Sequence, residues 1–253
     1  MNGAWRSFAD ELQRWRDGGR TAEFWWRDDD AARPAPALER LCALSARMAV
    51  PLALAVVPVG ADRALLRGLG SAVTLIQHGA DHRNRAGARE KKTEFPASEP
   101  PQAAATRLSA ARVELAEWAG ARFVPVLAPP WNRLPDALVP ALAAAGFRGL
   151  SRYGARASAA AAPGVVQVNT HVDVIAWRAG RGFIGEEAAL GAAVRHLAAK
   201  REGRADAAEP TGWLSHHAVH DEAAWNFLER LFETARAAPG LRWRGAHELF
   251  DVP

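Results

Sequence analysis

Apolar and polar residues alternate along the chain in two rhythms, one typical of helices and one typical of strands. Helical spacing of apolar residues predicts a first helix over residues 5–15, ending at Gly18-Gly19, and further helices over Ala37–Ala46, Gln102–Ala119, Leu134–Ala144, Glu186–Lys200 and Asp221–Ala237. Short apolar runs predict strands at Ala22–Arg27, Pro51–Val57, Val73–Gln77, Arg122–Leu127, Phe147–Leu150, Val165–Val168, Trp213–Ser215 and Leu241–Trp243. The stretch from Arg83 to Pro101 is predicted to be irregular, and the alanine run Ala157–Ala162 is predicted to be a surface loop.

This alternation of strands and helices indicates an α/β fold with a mostly parallel sheet. The chain has no glycine-rich dinucleotide fingerprint, so a distorted (β/α) barrel of about seven strands is favoured over a doubly wound sheet. The 253 residues fit a single domain, 1–253, with residues 1–20 as an N-terminal helical extension. In such barrels the functional site lies at the carboxyl ends of the strands.

Targeting signals and cysteine content bear on where the protein acts. No run approaches eighteen uninterrupted apolar residues, which argues against a membrane span. The first residues lack the basic start and apolar core of a signal peptide. The single cysteine, Cys42, excludes an intramolecular disulfide, and its apolar helical surroundings indicate buried packing. We therefore expect a cytoplasmic protein; nothing in the sequence indicates its oligomeric state.

The charge of the chain raises the question of nucleic-acid binding. Net charge is +4 and the isoelectric point is near 9.9. Only three of the 32 basic residues are lysines, however, and the arginines are interleaved with acids along the chain. The one local cluster, Arg83 to Lys92, is better interpreted as a solvated loop. No nucleic-acid partner is expected.

Ionisable side chains follow two of the apolar runs in a pattern that suggests a metal site. The triplet Asp28-Asp29-Asp30 ends one run, and burial of adjacent carboxylates is costly unless a cation compensates. A loop that caps the next helix is the alternative interpretation. His78 and His82, four residues apart after another run, share one face of a turn. A carboxylate with two histidines can hold a divalent metal and leave a coordination position open, as catalytic sites do.

Two loops offer further candidate residues. Consecutive prolines in Ala128–Arg133 fix an extended loop in which Trp131 and Asn132 can line a pocket. Asp173 and Trp177 follow a short strand, where a hydrogen-bonded loop is at least as good an interpretation as a functional one.

A last group of histidines follows the strand at Trp213–Ser215. His216, His217 and His220 supply imidazoles, the usual proton-transfer groups near neutral pH, although His220 with its neighbouring Asp221 could instead cap the next helix. Neighbouring side chains on a strand point to opposite faces, so only one of His216 and His217 can face a metal.

Taken in chain order, these five segments resemble the motifs of the polysaccharide deacetylase family, the NodB-homology enzymes of carbohydrate esterase family 4. The resemblance extends from about residue 22 to residue 250. The His-x-x-x-His pair and Leu214-Ser215-His216 match in order and spacing, whereas the proline loop and Asp173 with Trp177 match loosely.

The resemblance implies a mechanism and a role for each residue. It implies a divalent metal, zinc first and cobalt, nickel or manganese as alternatives, which activates water for removal of an acetyl group from a carbohydrate or a small amide. The implied metal ligands are Asp30, His78 and His82; the implied base and acid are Asp29 and His216; the implied substrate and oxyanion contacts are Trp131, Asn132, Arg27, Asp173 and Trp177.

The chain departs from the family pattern in two ways. The base and the metal ligand could be Asp28 and Asp29, respectively, or Asp29 and Asp30. The second assignment is preferred because divergent members of the family carry Arg-x-Asp-Asp, and Arg27 then takes the place of that arginine. Ala128 stands where the family has an arginine that orients the base, and either Arg27 or Arg133 could replace it. Hydrolysis of a small non-carbohydrate amide and a degenerate, non-catalytic carbohydrate-binding role are therefore kept as alternatives.

Overall fold

A computed structural model describes residues 3–250 of the chain. This part contains six α-helices: α1 Gly3–Asp17, α2 Pro36–Met48, α3 Pro101–Ala119, α4 Glu186–Arg201, α5 Glu222–Ala237 and α6 Ala246–Leu249. It contains ten strands: β1 Ala22–Ala31, β2 Leu52–Val56, β3 Val73–His78, β4 Phe123–Ala128, β5 Gly149–Leu150, β6 Ala160–Ala162, β7 Val165–Gln167, β8 Val172–Asp173, β9 Thr211–Ser215 and β10 Leu241–Trp243.

The strands form one sheet that curls into a distorted barrel. Their order is β6-β7-β5-β4-β3-β2-β1-β9-β8, and all neighbours are parallel except β6 and β7. β7 and β8, which lie near opposite ends of this order, belong to one extended segment of the chain. This segment closes the barrel by pairing with β5 on one side and with β9 on the other. Val168 N–H donates to Leu150 on one side, and His171 N–H donates to Gly212 on the other. The barrel therefore has seven parallel positions, as expected from the sequence, with β6 and β10 added at its margins.

Side chains of the strands alternate between the inside of the barrel and the surrounding helices. The inner core is built mostly from small and aliphatic residues around one tryptophan: Trp25, Ala53, Ala55, Ile76, Val124, Val126, Ala128 and Val168, joined by Ala246, Leu249 and Phe250 from the C-terminal segment. Gly212 is required here, because a Cβ atom at this position would lie 2.3 Å from Nε1 of Trp25.

Helices α1, α2, α4 and α5 cover the outside of β1, β2 and β9. Their apolar faces share one core with Phe24, Trp26 and Trp213. Helix α3 packs on the other side of the barrel with the segment 134–147, in a smaller core that includes Leu127 and Leu150. Cys42 is buried in α2, as expected. Within residues 3–250, no helix is both long and apolar enough to cross a membrane.

The structure corrects three details of the predicted elements. Leu134–Ala144 is not an α-helix but a short 3-10 helix, Asp136–Ala141, followed by turns, because Pro135 and Pro140 interrupt the helical pattern. The alanine run is only partly a loop, since Ala160–Ala162 pairs with β7. The strand Val172–Asp173 was not predicted, because two residues are too short to show an alternating pattern.

Candidate active site

The end of β1 brings two of its three aspartates to the mouth of the barrel. Arg27 and Asp29 follow Trp25 on the inner face, whereas Asp28 lies on the outer face, as the alternation of a strand requires. Between Asp28 and Ala31 the pairing with β2 shifts register, and Asp30 has a positive φ of 74°. This irregularity turns Asp30, which would otherwise point outward, toward the histidines at the end of β3.

Asp30, His78 and His82 converge on one point. Oδ1 of Asp30 lies 3.1 Å from Nε2 of His78 and 3.2 Å from Nε2 of His82. These spacings resemble the edges of about 3.3 Å that ligands at ~2.0–2.1 Å from a tetrahedral zinc ion define. His78 Nδ1 donates to the Ala128 carbonyl at 3.0 Å, which leaves Nε2 as its ligating atom. The donor set and its outer support therefore fit a divalent metal such as zinc.

The electrostatics of this group favour a positive charge at its centre. Burial acts to raise the pKa of Asp30, but hydrogen bonds with His78 and His82 outweigh it and hold that pKa well below its usual range. Burial also acts to lower the pKa of His78, yet Asp29 and Asp30 outweigh it and raise that pKa. A metal cation would satisfy the same carboxylates.

Asp29 is held beside Asp30 and the two histidines by Arg27. Both residues are almost completely buried, and the guanidinium lies 2.9 Å from Oδ1 of Asp29 through Nε and 3.0 Å from Oδ2 through Nη2. Nη2 also donates to Oδ1 of Asn132, while Nη1 donates to the carbonyl and hydroxyl oxygens of Ser151. Arg133, the other candidate, donates to the Lys92 carbonyl instead. Arg27 is thus the arginine that orients Asp29.

His216 faces Asp29 from the opposite side of the mouth. Its Nε2 atom lies 4.0 Å from Oδ2 of Asp29, and the Trp177 ring meets the imidazole edge-on at a centroid distance of 4.6 Å. Trp177 Nε1 donates to Asp173, which also accepts from the N–H of Ile175. Burial raises the pKa of Asp173, an effect that the nearby His216 only partly offsets.

His217 lies on the outer face, away from this group. Its Nδ1 atom contacts Oδ1 of Asp28 at 2.5 Å, and its N–H donates to Oδ2 of the same carboxylate. Ser215 also donates to Asp28. Burial acts to raise the pKa of Asp28, but the charge and hydrogen bond of His217 outweigh it and lower that pKa. Asp28 therefore links β1 to the segment after β9 and lies apart from the group formed by Asp30, His78 and His82.

Backbone strain is concentrated at this mouth. Six non-glycine residues within residues 3–250 have positive φ angles, and four of them contribute to the site: Asp30, His82, Trp131 and Asn132. The Trp131 ring lies 4.5 Å from that of His82. Strained conformations of this kind persist where the surrounding structure enforces them, most often at functional sites.

Four tryptophans near the ends of the strands differ in their exposure. Trp25 and Trp213 are completely buried core residues, whereas Trp131 is partly buried and Trp177 is exposed beside the site.

Two residues that sequence analysis missed also support the site. Ser151 binds Arg27, and Glu94 binds the turn between His78 and His82. Both lie in irregular segments, where no periodic pattern marks a buried polar residue.

A second group of possible metal ligands, His171, His196 and Glu209, lies buried between α4 and β9. The two imidazole rings stack at 3.5 Å with an interplanar angle of 17°. Nitrogen lone pairs lie in the ring plane, so two stacked rings cannot direct them to one ion. The N–H of Gly212 also donates to Nδ1 of His171, which places the proton of the neutral ring on Nε2. This group is a buried polar cluster rather than a metal site.

Comparison with known proteins identifies the fold. No family model matches the chain, and no curated protein matches it in sequence. An acetyl xylan esterase of family 4 from Clostridium thermocellum, in complex with a cobalt ion, has a TM-score of 0.53 at 13% identity over 91% of each chain. A polysaccharide deacetylase from Bacillus cereus has a TM-score of 0.53 at 12% identity, over 90% of this chain and 93% of that one. A family 4 carbohydrate esterase from Streptomyces lividans, in complex with acetate, has a TM-score of 0.52 at 13% identity, over 87% and 90%.

The fold and the arrangement of the mouth are those of an α/β barrel with a site at the carboxyl ends of its strands. More specifically, the chain has the fold of the carbohydrate esterase family 4 deacetylases, which confirms the fold expected from the sequence resemblance. At identities this low, the comparison defines the fold alone.

Proposed function

We propose that this protein is a metal-dependent hydrolase that removes an N-acetyl or other acyl group from a carbohydrate or a related amide. The observation that carries the proposal is the meeting of Asp30, His78 and His82 beside an arginine-held carboxylate, Asp29. Zinc is the proposed metal, with cobalt, nickel or manganese as substitutes. A bound divalent cation would supply an activated water and polarise the acyl carbonyl.

Asp29 is the proposed base. Its Oδ2 atom faces the mouth between His78 and His216, at 4.0 Å from a ring nitrogen of each. Nη2 of Arg27 donates to Oδ2 and its Nε lies 2.9 Å from Oδ1, and this ion pair holds the carboxylate in the rotamer in which Oδ2 can take a proton from the attacking water. Asn132 and Ser151 hold the guanidinium in turn.

His216 is the proposed acid, since an amide nitrogen must be protonated as it leaves. Its Nε2 atom faces Asp29, and Trp177 covers one edge of the ring. Asp173 orients Trp177 through its Nε1 hydrogen bond. In the proline loop, the amides of Asn132 and Arg133 already donate to Pro129 and Pro130, so we assign the oxyanion contact to the N–H of Trp131.

A cavity next to the site is our candidate for the place where a sugar binds. It has a volume of about 720 Å³ and is lined by Asp173, Tyr153 and Ile184 together with residues of α4. Tyr153 is 49% exposed, and Trp177, which contacts His216 and does not line this cavity, is 42% exposed. Exposed aromatic rings of this kind can stack on a sugar face.

Hydrolysis of a small non-carbohydrate amide remains the second proposal for the same machinery. A degenerate, non-catalytic relative is less well supported. The main argument for it was the lost arginine, and Arg27 makes the required contact with Asp29.

We further propose that the protein acts in the cytoplasm on a small, nucleotide-linked or lipid-linked sugar. Its single cysteine, which is free and buried, fits a reducing compartment. Cell fractionation tests the location.

A metal analysis of the purified protein followed by an acetate-release screen tests the function. The panel should contain N-acetylated sugars, a nucleotide-linked N-acetyl sugar, small non-carbohydrate acetamides and an acetylated xylan as an ester. Release should be lost with a chelator, restored by zinc or cobalt, and slowed about 10²–10⁴-fold in Asp29→Asn. A protein that binds no divalent metal, or whose Asp29→Asn variant is as active as wild type, would refute the proposal. Sugar binding without acetate release would favour the non-catalytic alternative.

A further inference from the structure

A buried carboxylate outside the metal-ligand set binds the turn that connects the two histidine ligands. Glu94 has no exposed surface. Its Oε1 atom accepts hydrogen bonds from the N–H groups of Ala80 at 2.9 Å and Asp81 at 3.3 Å, and its Oε2 atom accepts one from the N–H of His82 at 3.1 Å. One side chain thus binds three consecutive amides that end at a metal ligand.

The turn needs this partner because its backbone has left the sheet. Strand β3 ends at His78, and the N–H of Gly79 still donates to the Ala128 carbonyl of β4. The amides of Ala80, Asp81 and His82 donate to Glu94 instead of to a neighbouring strand. Gly79 and His82 have positive φ angles of 61° and 54°, which fold the turn tightly and direct its N–H groups inward. Unpaired inward amides would carry a desolvation penalty, and a carboxylate satisfies them with charge-assisted hydrogen bonds.

The fit between the turn and Glu94 leaves no spare room. A Cβ atom at position 79 would lie 2.1 Å from Oε2 of Glu94 and 2.7 Å from the Pro130 ring, so only glycine is tolerated there. The segment that carries Glu94 is itself fixed: Thr93 Oγ1 accepts from the N–H of Phe95, and Arg107 donates to the Glu94 carbonyl at 3.4 Å. Glu94 is therefore a fixed anchor.

We propose that Glu94 is a positioning residue that holds His82 in its ligating position and thereby sets the affinity of the site for its divalent metal. The inference rests on the proposed metal site. Without the anchor, His82 and its strained backbone can relax away from Asp30, whereas His78 stays on β3 and keeps its hydrogen bond to Ala128. Loss of such outer support typically weakens metal binding about 10–100-fold.

The substitution Glu94→Gln tests this role with little change of shape. The amide keeps one acceptor oxygen but presents an NH₂ group to a backbone N–H, so one side of the anchor is lost. Glu99→Gln is the matched control, because Glu99 lies on the same irregular segment and pairs with the same Arg107 but does not contact the turn. Zinc affinity is measured by competition with a chromophoric chelator, and unfolding of the metal-free proteins is followed in parallel.

We expect Glu94→Gln to bind zinc about 10–100-fold more weakly, to keep the wild-type unfolding midpoint of the metal-free protein within a few degrees, and to recover most of its kcat at saturating zinc. Glu99→Gln should bind zinc like wild type. Equal zinc affinity in Glu94→Gln and wild type, or an equal loss in both variants, overturns the inference. If wild type binds no zinc, the proposed function fails instead.

A measurement on the unsubstituted protein covers the case in which Glu94→Gln does not fold. Amide hydrogen exchange of the wild-type protein should show the N–H groups of Ala80, Asp81 and His82 protected well above that of Lys91, an exposed residue of the same irregular segment. If these three amides exchange as fast as Lys91, the carboxylate does not hold the turn and the inference is wrong.

Discussion

At the scale of single residues, the three adjacent aspartates that end β1 have three different partners. Asp28 binds His217 on the outer face, Asp29 pairs with Arg27 on the inner face, and Asp30 turns toward His78 and His82. Three carboxylates in sequence would repel one another in a common environment. Strand alternation and one irregularity separate them, and only Asp29 and Asp30 reach the mouth of the barrel.

This separation predicts different outcomes for two neighbouring substitutions. Asp30→Asn removes the carboxylate that the two histidines share and should abolish metal binding. Asp29→Asn should keep the metal but lower kcat by about 10²–10⁴, the usual contribution of a general base. Metal content by mass spectrometry and steady-state kinetics check both. If Asp29→Asn loses the metal and Asp30→Asn behaves like wild type, the other register is correct, with Asp28 as the base and Asp29 as the ligand.

The role of Arg27 predicts a difference between two conservative arginine substitutions. Arg27→Lys keeps a positive charge but cannot bind Asp29, Ser151 and Asn132 at once, because an ammonium group lacks the planar fork of a guanidinium. We expect at least about a tenfold loss of kcat with metal retained. Arg133→Lys is the control, since Arg133 donates to the Lys92 carbonyl and not to Asp29, and it should stay within about twofold of wild type. The reverse order of effects would make Arg133 the orienting residue.

The two adjacent histidines after β9 predict a similar contrast. His216→Ala should lower kcat by about 10²–10⁴ without loss of metal, and esters with good leaving groups should suffer less than amides because they need no proton. His217→Ala should mainly lower stability, since it leaves the buried Asp28 without its imidazole partner. Kinetics on matched amide and ester substrates, together with unfolding curves, separate the two. A mild His216→Ala and an inactive but stable His217→Ala would reverse the assignment.

At the scale of elements, regular periodicity could be predicted and tertiary contacts could not. The amphipathic spacing of α1, α2 and α5 and the apolar runs of β2 and β3 were visible in the sequence, and their observed bounds agree to within a few residues. Short strands such as β8 lack enough residues for a pattern. Arg27 could not be matched to Ser151 and Asn132 either, because these contacts span 124 and 105 residues between loops of different strands.

The contact between α4 and β9 predicts an acid-sensitive element. Burial, with the charges of His171 and Lys200, lowers the pKa of His196 to about 2. The unfolded chain should have a histidine pKa of about 6.5, so above that pH both states are neutral and this residue adds no pH dependence. Below about pH 6.5 this histidine gains a proton only in the unfolded state. The free energy of unfolding therefore falls by up to about 1.4 kcal/mol for each unit by which the pH is lowered.

A substitution of His196 isolates this contribution. His196→Gln lacks the titrating group but can keep a hydrogen bond to Thr211, to which Nδ1 of His196 is joined at 2.9 Å. The variant should be less stable than wild type at pH 8, and the difference should shrink as the pH falls from about 6.5 to 5. Denaturant unfolding at a series of pH values measures it. A difference that stays constant over this range would show that His196 does not titrate in this way.

At the scale of the whole molecule, closure of the barrel is what assembles the site. Residues of the candidate site come from the ends or following loops of β1, β3, β4, β5, β8 and β9. The segment that carries β7 and β8 pairs with β5 and then with β9, and so brings Asp173 and Trp177 to the same mouth as His78 and His82. The proposed metal ligands lie on β1, on β3 and in the turn after β3, and β2 separates these two strands in the sheet.

Because the ligands meet only in the folded barrel, metal binding should stabilise the whole molecule. A ligand that binds the native state alone at 100 times its Kd adds about 2.7 kcal/mol to the free energy of unfolding. For a domain of this size, that corresponds to a rise in Tm of about 5–10 °C. Thermal unfolding with a chelator and with excess zinc measures the shift.

His78→Ala and His82→Ala each delete one of three proposed ligands and should lose most of the zinc-dependent rise in Tm. His217→Ala keeps the ligand set, so its Tm should start lower than that of wild type but rise by the full amount with zinc. An equal zinc-dependent rise in wild type, His78→Ala and His82→Ala would mean that the cation binds elsewhere on the chain.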